Sequence, residues 1–115
     1  AFTADAEAWN KEIAADLGLT VEMALWMDER PVPMNEEIVG TLERAVNASG
    51  KRYKVMHSGS GHYSQIIAPH FPTAMLFVPS IEGISHNPAE STDLADLIAG
   101  VEVLADALYA LAYKE

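Results

Sequence analysis

Apolar positions along the chain fall into blocks whose spacing predicts the elements. Phe2, Ala6, Trp9, Ile13 and Leu17 recur every three or four residues, the period of one helix face, with Thr3 as a candidate N-cap and Gly18 at the stop. An amphipathic helix is expected there. The stretch "LTVEMALW" alternates Leu19, Val21, Met23 and Leu25 against Thr20, Glu22, Ala24 and Trp26, which suits a half-buried strand. "MDERPVPMN" follows, with two prolines in three residues, and reads as a connector.

Beyond the connector, Asn35 can cap a second helix, "EEIVGTLERAVNAS", whose Ile38, Leu42, Ala45 and Val46 share one face and which Gly50 can end. A short strand is expected around "RYKVMH", then the loop "SGSG", a brief helix near "HYSQIIAPH", and the continuous apolar run "TAMLFV" as a strand covered on both faces. Strand, glycine loop, helix, strand is a βαβ pattern, which favours a parallel sheet with a right-handed crossover. The last element is a helix from about Asp93 to Tyr113, capped by Ser91 or Thr92. Leu94, Leu97, Ile98, Val101, Leu104, Ala105 and Leu108 are expected on its buried side. Residues 28–115 therefore read as one α/β layer covered by helices, and residues 1–27 as a helix and strand that belong elsewhere. A sheet with so few strands would leave exposed edges, which points to a fragment.

Composition narrows the partners. The chain has 115 residues, half of them hydrophobic, enough for one compact domain. Seventeen acidic against seven basic side chains give a net charge of −10, which repels nucleic-acid phosphates and anionic lipid headgroups. Small molecules and other proteins are the expected partners, with no nucleic acid and no membrane. Glu102 and Asp106 interrupt the apolar C-terminal stretch before it reaches the ~20 residues of a membrane span. No signal-peptide pattern opens the chain. The absence of cysteine excludes disulfides and thiolate metal sites and agrees with a cytoplasmic location. Ala1 stands where an initiator Met would be, so processing or a longer parent is expected. There is no internal repeat or low-complexity tract.

Candidate chemistry lies in two loops. His57, His62, His70 and His86 form no H-E-x-x-H or other i, i+4 pair, so spacing alone does not make a complete metal site. His86, in "GISHNPAEST", nevertheless follows a predicted buried strand, and ligands of open α/β sheets gather at the carboxyl ends of strands. "HSGSGHYS" occupies the equivalent place after the preceding strand, where Gly59 and Gly61 allow close backbone approach to a ligand and free N–H groups for an anion. Glu36 and Glu37 fall in the first turn of a helix, where their charge offsets the helix dipole, so they read as structural. No serine sits in a G-x-S-x-G setting, and no Ser-His-Asp arrangement can be argued. The spacing of Trp26, Met27, Met34, Met56 and Met75 suggests only packing.

On the strings "LWMDERPVPMN", "HSGSGHYSQIIAP", "LFVPSIEGISHNPAE" and "DLIAGVEVLADALYALA", nearly the whole chain resembles the C-terminal part of the allantoate amidohydrolase and N-carbamoyl-L-amino-acid hydrolase family. These are dinuclear, metallopeptidase-like metallohydrolases. The resemblance implies an α/β catalytic domain with two divalent ions, zinc or manganese, and an inserted lid domain that mediates a homodimer. Residues 1–27 would end the lid, and residues 28–115 would be the C-terminal part of the catalytic domain, completed by the rest of that domain. It further implies that His86 is a metal ligand and that Gly61 and His62 contact a ureido or amide substrate. None of the chain's residues would be the catalytic base, because the remaining ligands and the base lie upstream of the lid. The chain alone is thus expected to be inactive. Ser60, Tyr63 and Ser64 stand where the family string G-A-G-H-D-A has Ala, Asp and Ala, which removes a carboxylate from beside the site. Two alternatives stay open: a carbamoyl-amino-acid substrate in place of allantoate, and a non-catalytic binding module that kept the fold.

Overall fold

The structure is a computed structural model and describes residues 2–113. It divides into two units, Ala1–Pro31 and Val32–Glu115. In the first unit, helix α1 spans Phe2–Asp16. Its end is fixed by Gly18, whose φ of +65° is cheap only for glycine. The Leu19 and Gly18 N–H groups turn back to the Ala14 and Ala15 carbonyls, closing a Schellman stop. Thr3, expected as the N-cap, lies inside the helix, because Phe2 is already helical. Among the described side chains of α1 only Ala14 is buried, while Trp9 and Ile13 of the predicted stripe, like Leu17 just past its end, are exposed.

In the second unit, Asn35 caps α2 (Glu36–Ala48) as its sequence position predicts, its Oδ1 accepting from the Ile38 N–H at 3.0 Å. The same stop recurs at the other end: Gly50 has φ +67°, and the Lys51 and Gly50 N–H groups donate to the Val46 and Asn47 carbonyls. Helix α3 is short, Tyr63–Ile67. Helix α4 spans Leu94–Ala112 and packs on α2. Its N-cap is Asp93, without a side-chain capping bond, so Ser91 and Thr92 do not cap it. A Lys51–Glu102 ion pair of 2.7 Å ties the end of α2 to α4.

The packing face of α4 differs from the one expected. Val103 and Ala107 are its buried residues, with Asp96, Ala99, Gly100 and Leu111 half-buried beside them. These positions form one helical stripe. Leu94, Leu97, Ile98, Val101, Leu104, Ala105 and Leu108, the predicted buried side, are exposed instead. The helix is apolar nearly all round, so it offers two stripes. The one with small residues is the buried one. A Cβ built on Gly100 would lie 2.5 Å from Val78 Cγ1, so only glycine fits there without a shift.

The α/β expectation is not met within the described residues, which form no strand. The stretches at 19–26, 52–57 and 73–78 run as irregular chain without ladder hydrogen bonds. Two neighbouring strands do not make a stable sheet by themselves; at least three, or a covering helix, are needed. The single backbone tie from this region to α2 is the Asn35 N–H to the Thr73 carbonyl, 2.8 Å. Val55, Met56 and Phe77, apolar side chains of the expected strands, are exposed.

Candidate functional site

His86 sits on a turn built by unusual backbone. A short 3-10 turn at Ile81–Gly83 contains Glu82 at φ +57°, ψ +11°, followed by Gly83 at φ +69°, and three residues later His86 itself adopts φ +57°. Left-handed backbone is uncommon for residues with a Cβ and persists only where the surroundings hold it. The holding bonds are explicit. The His86 N–H donates to Glu90 Oε2 at 2.8 Å, the Glu90 N–H to the Asn87 carbonyl at 2.9 Å, and the Ala89 N–H to Asn87 Oδ1 at 2.9 Å. Upstream, the Ser80 hydroxyl donates to the Ile84 carbonyl, and the Ile81 N–H reaches the Ser91 carbonyl at 2.8 Å. The two ends of the loop are thereby joined.

The imidazole of His86 is exposed, and its Nδ1 lies 2.7 Å from the Ser85 hydroxyl. With Nδ1 so engaged, Nε2 is the nitrogen available to a metal. In the tautomer with the proton on Nδ1, Nδ1–H would donate to Ser85 Oγ and leave the Nε2 lone pair free, the usual arrangement of a ligand histidine. The donor chemistry therefore fits a divalent ion at one position. It does not make a whole site: among the described residues no group of three or more His, Asp or Glu side chains could hold an ion.

The second predicted loop is built differently. His62 is the N-cap residue of α3, in extended backbone and without a side-chain capping bond, and its ring meets Phe77 edge-on at 5.5 Å between centroids. Neither Gly59 nor Gly61 is left-handed. A Cβ at Gly59 would meet open space, and one at Gly61 would meet Gln65 Oε1 at an ordinary 3.5 Å. Ser58 Oγ donates to the Ser60 carbonyl, closing the turn ahead of Gly61. No hydrogen bond, ring contact or ligand cluster among the described residues joins His62 to His86. An open cavity of about 720 Å³ lies elsewhere, between the start of α2 and residues 68–73, lined by Asn35, Glu36, His70 and Phe71 but by neither loop.

Sequence reading missed the roles of Glu90 and Ser85, side chains that hydrogen-bond His86. A signal for Glu90 was present, an acid four residues after a loop histidine across an Asn-Pro turn, although nothing in that spacing says which atom it would bond.

The chain belongs to a family of hydrolases: residues 4–110 match peptidase family M20/M25/M40, which carries a metallopeptidase-like fold. Within it, the chain is similar to the allantoate amidohydrolase of Escherichia coli (strain K12), 49% identical over 114 residues that cover 99% of this chain and 28% of that protein. The Bacillus subtilis (strain 168) allantoate amidohydrolase is 38% identical over 97% of this chain and 27% of its own length. An N-carbamoyl-L-amino-acid amidohydrolase of Paenarthrobacter aurescens is 34% identical over 87% of this chain and 24% of its length. The chain thus spans about a quarter of the relatives it matches. Among the described residues no helix is long and apolar enough to cross a membrane.

Proposed function

We propose that this chain is the C-terminal portion of a metal-dependent amidohydrolase that cleaves a ureido or amide C–N bond of allantoate, in purine degradation in the cytoplasm. The 49% identity to an allantoate amidohydrolase over 99% of the chain carries this reading. On it, residues 1–27 end a lid domain through which two copies pair, and residues 28–115 complete an α/β catalytic domain. The stretches at 52–57 and 73–78 become strands when the rest of that domain supplies their neighbours. The large-residue stripe of α4, with Leu94 at 71% and Val101 at 65% exposure, is covered by the same docking.

In the assembled site His86 offers Nε2 as one ligand, oriented by Ser85 at Nδ1. Two divalent ions, zinc or manganese, when bound supply polarisation of the scissile carbonyl and an activated water. The Gly61 backbone and the His62 ring orient the substrate. Phe77, edge-on to His62, limits the directions that ring can take. This chain contributes no general base.

Metal content and turnover of the full-length hydrolase test the assignment. His86→Ala should remove one ion per site and most of the activity. His62→Ala should leave metal content unchanged while kcat/KM falls by roughly 2–4 kcal/mol of transition-state stabilisation, the scale of one lost donor in a dry site. The 115-residue chain alone should turn over neither allantoate nor an N-carbamoyl amino acid with either metal. Full metal content in His86→Ala, or turnover by the isolated chain, would overturn the assignment. The 34% identity to a carbamoylase supports a second reading, and faster hydrolysis of N-carbamoyl amino acids than of allantoate would decide for it.

A further inference from the structure

The carboxylate of Glu90 has no role in the function proposed above, yet it makes the bond that fixes the backbone of His86. Its Oε2 accepts the His86 N–H at 2.8 Å, while its own N–H bonds the Asn87 carbonyl at 2.9 Å. Side chain and main chain of one residue thus close residues 86–90 into a ring from both sides. The Ala89 N–H is used by Asn87 Oδ1, and Pro88 has no N–H, so the turn leaves little alternative bonding for its backbone. A charged acceptor makes the shorter, stronger class of hydrogen bond. It meets the chain at a residue whose φ of +57° needs holding.

We propose that Glu90 is a positioning residue for His86: its carboxylate locks the left-handed backbone of the ligand, so that Nε2 faces one direction before an ion arrives. The proposal rests on the reading of His86 as a metal ligand. Released from Glu90, His86 can relax to ordinary negative φ, which turns the Cα–Cβ bond away from its present direction. Ser85 alone cannot prevent that, because a neighbouring side chain moves with the same backbone. Glu90 acts on the main chain of the ligand, whereas a ligand's orienting partner more often bonds its ring.

The test measures zinc affinity by chelator competition in the full-length hydrolase, together with amide hydrogen exchange of the metal-free protein across residues 83–91. Glu90→Ala is expected to weaken zinc binding by roughly 10- to 100-fold, the usual range for a group that orients a ligand, and to speed exchange in this turn. The melting temperature should hardly change. Glu90→Gln keeps an acceptor oxygen, although an uncharged one, and should recover a clear part of both affinity and protection. A Gln variant as weak as the Ala variant would overturn the proposal, since it would place the charge of Glu90, and not its hydrogen bond, at the ion. Unchanged affinity in Glu90→Ala, or a loss matched by global unfolding, would overturn it equally. His86→Ala separates the two claims: zinc retained in that variant sinks the ligand assignment itself, while zinc lost there but unaffected by Glu90→Ala sinks only the positioning role.

Discussion

Replacing Gly100 by Ala sets two effects of known sign against each other. In an exposed helix the change would stabilise by about 0.8–1.0 kcal/mol, because glycine has more backbone freedom to lose. Here the new Cβ would come within 2.5 Å of Val78 Cγ1, where two carbons prefer roughly 3.5–4.0 Å. Valine is stiff at χ1, so Cγ1 cannot swing aside without putting its other methyl in a new place. Relief then comes from the 73–78 segment or α4 shifting by about 1 Å, and a shift of α4 pulls on Val103 and Ala107, its most buried side chains, at 3% and 2% exposure. Overpacking of this kind costs roughly 1–3 kcal/mol, so a net loss of about 1 kcal/mol is expected after the propensity gain. A double-mutant cycle with Val78→Ala isolates the clash: the double variant should recover at least about 1 kcal/mol relative to the sum of the single changes. Urea unfolding of the protein and its three variants gives the four numbers. A stabilised Gly100→Ala variant, or a coupling near zero, would refute the close approach of α4 to Val78.

Two further outcomes follow from local chemistry. Asn35→Ala removes the acceptor for the Ile38 N–H and should cost about 1 kcal/mol, whereas Asn35→Asp should be nearly neutral; equal losses in the two variants on urea unfolding would show that the cap bond is not what matters. In α1, the hydrogen bond and charge of Lys11 hold the Glu7 carboxyl below its ordinary value, so whatever the pair adds to helicity is present above the unfolded carboxylate range and lost as pH falls through the folded value. Because both side chains lie largely in water, circular dichroism of a peptide carrying α1 should show only a small decline over that acidic window, and added salt should shrink it.

What could be read from the sequence was what the chain decides locally. Asn35 states its cap within four residues, and Gly18 and Gly50 state their stops through the sign of φ, so these ends were legible without any partner. The 86–90 turn was half legible. Asn87-Pro88 announces a turn, but the left-handed φ of His86 depends on a carboxylate whose rotamer no spacing rule gives. The strands and the buried face of α4 failed for a shared reason. A ladder is made by two chains of atoms, and an apolar run such as "TAMLFV" specifies only one of them. The apolar period likewise misled the choice of face on α4, since the helix is apolar nearly all round and the buried stripe is the one that carries Gly100, where a Cβ would come within 2.5 Å of Val78 Cγ1. A helix apolar on both sides nevertheless asks for two neighbours. Among the described elements α2 is the one that packs on α4, and the stripe of α4 that is buried is the small-residue one. On the proposed function the second neighbour and the missing strand partners are the same object, the remainder of the catalytic domain, so one docking event would bury the leucine stripe and pair the strands that now have no ladder.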